Sequence, residues 1–213
     1  MWRAHNLFRG AITLLCFLFP TLGAPAGWET SNPKDAKAFE TGNLSAVKRI
    51  LTKGNYIERD LSLLVFALGK ATSSGNVDLL RYLNERGWLQ KCRQAECYPV
   101  HIAAKYGRID AIRFLITQGF DAKATDYFKI NSQYGGNTPL HYAASNGHLE
   151  TVKFLCDRGV DPSLKNRMAK TALDNARYEL DMRHGGNAKE EATAKARYQE
   201  IVQYLSHEHC GKE

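Results

Sequence analysis

The side chains able to do chemistry are few and widely spaced. Of five cysteines, Cys16 lies in an apolar N-terminal run, and Cys92, Cys97, Cys156 and Cys210 lie beyond it. An even number in an oxidising compartment makes disulfides the default. A Cys92–Cys97 bridge would close a small ring around Arg93-Gln-Ala-Glu96 and stiffen one loop. The alternative is separate thiols, and without a Cys-x-x-Cys a redox-active pair is disfavoured. His207, His209 and Cys210 are zinc-donor types, but alternate helical positions point about 200° apart, so no metal is expected there. The chain has no Gly-x-Ser-x-Gly elbow, His-Glu-x-x-His, phosphate loop or dinucleotide fingerprint. The expectation is therefore a non-enzyme with no catalytic residue and no cofactor. Asn43-Leu-Ser45 is a glycosylation sequon that matters only in a eukaryotic source.

The N-terminus reads as an export signal. Arg3 and Arg9 form a positive start, Ala11 to Phe19 is an apolar run of nine, and Leu22-Gly-Ala-Pro-Ala26 offers small residues for cleavage. A signal peptide over 1–24 is expected, with cleavage after Ala24 or Ala26. The run falls short of the roughly 20 residues of a transmembrane span, and Leu15 before Cys16 argues against lipidation. The mature protein should be soluble and periplasmic, with secretion as the alternative. Net charge is +7, falling to +5 once Arg3 and Arg9 leave. That excess is modest and export argues against nucleic acid as a ligand, so the charge reads as solubility with a mild preference for acidic partners. With 44% hydrophobic and 24% charged residues, and only 6 Pro and 17 Gly, the rest should fold around a core.

Glycines reveal what positions these groups. Gly42, Gly75, Gly107 and Gly147 are each followed twelve residues later by Gly54, Gly87, Gly119 and Gly159, and successive pairs step by 33, 32 and 40 residues. The unit is about 33 residues, with a seven-residue insertion near Tyr127 to Gly135. Between paired glycines, apolar residues recur as Leu44, Val47, Ile50; Val77, Leu80, Leu83; Ile109, Ile112, Leu115; and Leu149, Val152, Leu155. That spacing predicts an amphipathic helix with one buried face. A shorter helix precedes it, clearest in Thr138-Pro-Leu-His-Tyr-Ala-Ala144, where Thr138 can cap and Pro139 fits the first turn.

Asn137-Thr-Pro-Leu-His-Tyr-Ala-Ala-Ser-Asn-Gly-His148, with Val152, Leu155 and Gly159 in register, resembles an ankyrin repeat. Tyr98-Pro-Val-His-Ile-Ala-Ala-Lys-Tyr-Gly107 is a second good copy. The stretches ending at Gly42 and Gly75 are weaker, with Gly69 and Thr72 where histidine and alanine are expected. Thr171-Ala-Leu-Asp174 opens a fifth copy, whose second helix returns only at Ile201 to Leu205 after about 17 extra residues, suited to a terminal cap. The resemblance spans about residues 34 to 209. It implies an all-α solenoid of four to five helix-turn-helix repeats with finger loops, over 34–210, with repeats at about 34–60, 61–97, 98–135, 136–168 and 169–210. Cys156 and Cys210 then fall on neighbouring layers and could staple the cap, if the chain after His209 bends inward from a helix spacing of about 8 to 10 Å. His101 and His141 should bond to backbone between repeats.

In that family partners bind loops and the concave face, which here are about Trp88 to Tyr98, Asp126 to Asn137 and Leu164 to Lys170, with Lys105, Tyr106, Tyr142, Ser145 and Asn146. Tyr127, Phe128 and Tyr134 in the insertion are the first expected contacts, as aromatics dominate hot spots. Lys91, Arg93, Lys129, Lys165, Arg167 and Lys170 line successive fingers and favour an acidic partner. The chain also resembles exported bacterial ankyrin-repeat proteins. That resemblance implies protein–protein interaction, with two roles to weigh. One is a periplasmic immunity protein, an inhibitor of a lipase-type toxin from type VI secretion. The other is a stress-protective or structural role with no toxin.

Overall fold

The computed structural model describes residues 37–39, 41, 43–53, 61–94, 97–126, 135–182, 188–207 and 210. Among them all regular structure is helical. Helix α1 is Leu44–Lys53, α2 Leu61–Ser74, α3 Val77–Glu85, α4 Trp88–Gln94, α5 Pro99–Lys105, α6 Ile109–Thr117, α7 Pro139–Ser145, α8 Leu149–Cys156, α9 Ala172–Met182 and α10 Ala188–Ser206. Each repeat from the second onward contributes an inner helix and an outer one. The inner helices α2, α5, α7 and α9 pack in series, α3 packs on α6, and α8 packs on α10.

Local chemistry accounts for these elements. Pro99 and Pro139 stand in the first turns of α5 and α7, where a missing N–H costs nothing. Asn76 caps α3, its side chain accepting from the Leu79 amide at 2.9 Å. Of the three apolar positions expected per outer helix, the second and third form the seam. Leu80, Leu83, Ile112, Leu115, Val152 and Leu155 are fully buried, while Val77, Ile109 and Leu149 are only half-buried. The turn between α5 and α6 needs glycine twice over: Gly107 has φ +66°, and a Cβ there would lie 2.7 Å from the His148 ring.

Two parts differ from the sequence reading. In the expected finger Trp88 to Tyr98, the stretch Trp88–Gln94 is helix α4 and not an open loop, with Trp88, Leu89 and Cys92 all buried on one side of it. Cys92 and Cys97 are accordingly held as buried thiols, not as the expected bridge. Cys92 faces the core beside Trp88 and Leu89, while backbone joins the two positions, Cys97 N donating to Cys92 O at 3.0 Å. The degenerate second repeat also packs more closely than its sequence suggests. Thr72 is fully buried, and its hydroxyl donates to Leu68 O at 2.7 Å.

At the other end a disulfide joins Cys156 to Cys210 across a Cα separation of 4.6 Å. It ties the chain after α10 to the end of α8. No helix among the described residues is long and apolar enough to cross a membrane.

Candidate partner-binding surface

After α6 the chain turns through Asp121, whose carboxylate accepts the Lys123 amide at 2.8 Å. Asp161 does the same for Ser163 after α8, also at 2.8 Å. The chain then reaches Asp126, which is fully buried. Across the finger base Asp126 N donates to Asn137 O and Gly136 N donates to Asp126 O, both at 2.9 Å. The Asp126 carboxylate accepts the Asn137 amide at 2.7 Å and the Tyr142 hydroxyl at 2.6 Å. One side chain thus binds the finger base to inner helix α7. Burial, then the Asp126 charge, pushes the Tyr142 hydroxyl far above its usual range.

Two histidines extend the network. His101 Nε2 lies 3.1 Å from Asn137 O, and the ring stands edge-on to Tyr142 with centroids 5.8 Å apart. Burial lowers its pKa to about 4, against the opposing pull of Asp126. His141 Nε2 lies 3.0 Å from Lys170 O, and its Nδ1 accepts the Thr138 amide at 3.2 Å. The acceptor role of Nδ1 puts the proton on Nε2, which donates to Lys170 O in the neutral ring. Burial lowers this pKa too.

The next finger hangs on Asn166, whose Oδ1 accepts the Met168 and Lys170 amides, both at 3.0 Å. Its Nδ2 donates to Asn137 Oδ1 at 2.9 Å. Arg167 N donates to Gly135 O at 2.9 Å, tying one finger to the next. Several expected contact residues share in this scaffolding. Arg93 is exposed, but its guanidinium stacks over Phe120 at 5.4 Å and lies against Gly119 at the end of α6. Lys91 is exposed on α4. Lys105 and Tyr106 are half-exposed, with the Lys105 ammonium 5.7 Å from the Tyr106 ring. Ser145 Oγ donates to Tyr142 O at 3.3 Å, and Asn146 Nδ2 to the same carbonyl at 2.9 Å. Lys165, Arg167 and Lys170 are exposed on one finger. Tyr127, Phe128, Lys129 and Tyr134 lie outside the described residues.

A second set of contacts, unforeseen in the sequence, registers the repeats. Arg108 Nε donates to Ser73 O at 2.8 Å, and His148 Nε2 lies 2.9 Å from Lys105 O. Tyr198 in α10 donates to Ser145 O at 3.0 Å. Each acceptor stands two residues before a turn glycine. The signal available in sequence was positional, since Arg108 and His148 both follow such a glycine directly.

Among the described residues no group of three or more His, Cys, Asp or Glu could hold a metal. Cys210 is committed to its disulfide, and His209 lies outside the described residues.

Helix pairs stacked in register, with finger bases locked to the inner helices, define a solenoid scaffold for protein–protein interaction. The family described as ankyrin repeats (3 copies) matches residues 36–126, 68–166 and 128–213, and the chain belongs to it. Proteins of this family are generally non-enzymatic binding scaffolds. No curated relative matches the chain.

Proposed function

We propose that this chain is an exported binding protein that covers and inhibits a partner protein, acting as a periplasmic immunity protein against a lipase-type toxin. The observation that carries the reading is the buried Asp126 carboxylate, holding Asn137 of the finger base and Tyr142 of α7 at once. A surface fixed in this way loses little entropy on binding, and occlusion needs no chemistry of its own. The Cys156–Cys210 staple suits an oxidising compartment, as does the export signal read at 1–24. Exposed Lys165, Arg167 and Lys170 favour an acidic partner surface and an association rate that falls with salt.

The test is to read the neighbouring genes and to express any lipase-type toxin found there in the periplasm of a bacterial host, with and without this chain. The full chain should restore growth, and a version lacking residues 1–24 should not. No protection by the full chain ends the immunity reading. Protection against peroxide instead, with a catalase as the genetic neighbour, would support the stress-protective role.

A further inference from the structure

Among the described residues the large apolar side chains left exposed are Leu164, Met168, Tyr178 and Met182. All fall between residues 164 and 182, in the last finger and the inner helix that follows it. Leu164 is 38% exposed and Met168 51%.

The finger that carries the first two is rigid. Asn166, only 9% exposed, holds the Met168 and Lys170 amides with its side chain. Its backbone closes the tip, with Asn166 N donating to Lys170 O and Ala169 N to Asn166 O, both at 2.9 Å. Ala169 sits at φ +56°, the one non-glycine residue with positive φ among those described. That region is disfavoured for a residue with a Cβ, so the surrounding bonds hold the tip in place. The result holds Met168 outward on a fixed loop.

Within the finger itself every charge is positive. Lys165, Arg167 and Lys170 are exposed. The acids that flank it in sequence stand outside the tip: Asp161 accepts the Ser163 amide and hydroxyl at 2.8 and 2.7 Å, and Asp174 accepts the Thr171 amide and hydroxyl, both at 2.9 Å.

We infer that the finger Leu164 to Lys170 is the anchor of the binding surface, inserting Met168 and Leu164 into an apolar cleft of a partner protein whose rim carries carboxylates. Apolar side chains on a preordered loop make hot spots at little ordering cost, and the flanking cations select an acidic rim. The assignment rests on the binding role proposed above and names the chemistry of its partner.

The probe is a displayed library of random dodecapeptides selected on the full, disulfide-intact chain. Enriched sequences should carry an aromatic or aliphatic pair flanked by Asp or Glu. The best peptide, synthesised, should lose at least about tenfold in affinity to the Leu164→Ser, Met168→Ser double variant. It should lose about threefold to Lys165→Gln, Lys170→Gln. All four positions are exposed, so the helical signal and melting temperature should stay put. Peptides without acidic bias, or unchanged affinity in both variants, overturn the assignment. So does loss of binding confined to a Tyr127→Ser, Phe128→Ser, Tyr134→Ser variant, or phosphatidylglycerol vesicles captured through Leu164 and Met168 in place of peptides. Toxin inhibition that survives the finger variants would remove this anchor alone. Selective peptide binding without toxin inhibition would remove the immunity role alone.

Discussion

Tyr198, on the last helix, donates to Ser145 O at 3.0 Å, the position that His148 takes on Lys105 and Arg108 on Ser73. An arginine, a histidine and a tyrosine thus do the same work at three successive junctions. Tyr198→Phe keeps the ring, which is 3% exposed, and removes only the hydroxyl. It should cost about 1 kcal/mol, with a fall of about 2 to 4 °C in Tm. Thermal unfolding followed by circular dichroism checks this, and no change would mean that water replaces the hydroxyl.

Acid should weaken the fold through His101. Its pKa falls from the ordinary 6.5 to about 4, mainly by burial, so below pH 6.5 the unfolded chain takes up a proton that the folded chain refuses. The stability is fully present above 6.5 and lost as pH falls toward 4, by about 3 kcal/mol. His141 shifts in the same direction. Urea denaturation at pH 7 and pH 4, repeated on His101→Gln, should show the variant less stable at pH 7 and flatter toward acid.

The terminal staple should matter locally first. Cys156 and Cys210 close a loop with a sequence separation of 54, for which the chain-entropy argument gives about 4 kcal/mol. Reduction, or Cys210→Ser, should raise amide exchange in α10 well before α5 and α6 respond, because a stack couples neighbours only. Uniform acceleration along the chain would contradict this.

Gly69 offers a gain. It occupies the interior of α2, where a histidine would complete the repeat signature, and an added Cβ meets nothing within 4 Å among the described residues. Gly69→Ala should therefore stabilise by about 0.5 to 1 kcal/mol, from helix propensity alone. Chemical denaturation is the measurement, and a loss of stability would mean that the position is crowded.

The early repeats should also open first. The first two have degenerate signatures, and with glycine at position 69 the second lacks the histidine-to-carbonyl bond that His101 and His141 make in the next two. Hydrogen exchange across residues 44 to 83 should outpace that across 109 to 155. The reverse order would show that Thr72, buried and bonded within its own helix, compensates for the missing tie.

What could be read from sequence follows from what repeats. The outer-helix seam was legible because Leu80, Ile112 and Val152 recur at one offset from a glycine. The junction bonds were not, because their donors share no residue type and Tyr198 lies 53 residues from its acceptor. Helix α4 lies where the repeat pattern predicts a finger, and although Trp88, Leu89 and Cys92 mark a buried face, seven residues are too few to show a period. Asp126 stands in the sequence only as the first residue of a loop. Its burial depends on Tyr142 and Asn137 meeting it in space, and no local spacing encodes that meeting.

At each junction the acceptor is a main-chain carbonyl, on Ser73, Lys105 or Ser145. Drift of the accepting residue therefore leaves the bond intact, and selection acts on the donor alone, where any side chain carrying an N–H or O–H to the right point will serve. Copies of the unit could in this way be duplicated or exchanged within a lineage without matched changes on both sides of a seam, while finger sequences diverge to follow a changing target.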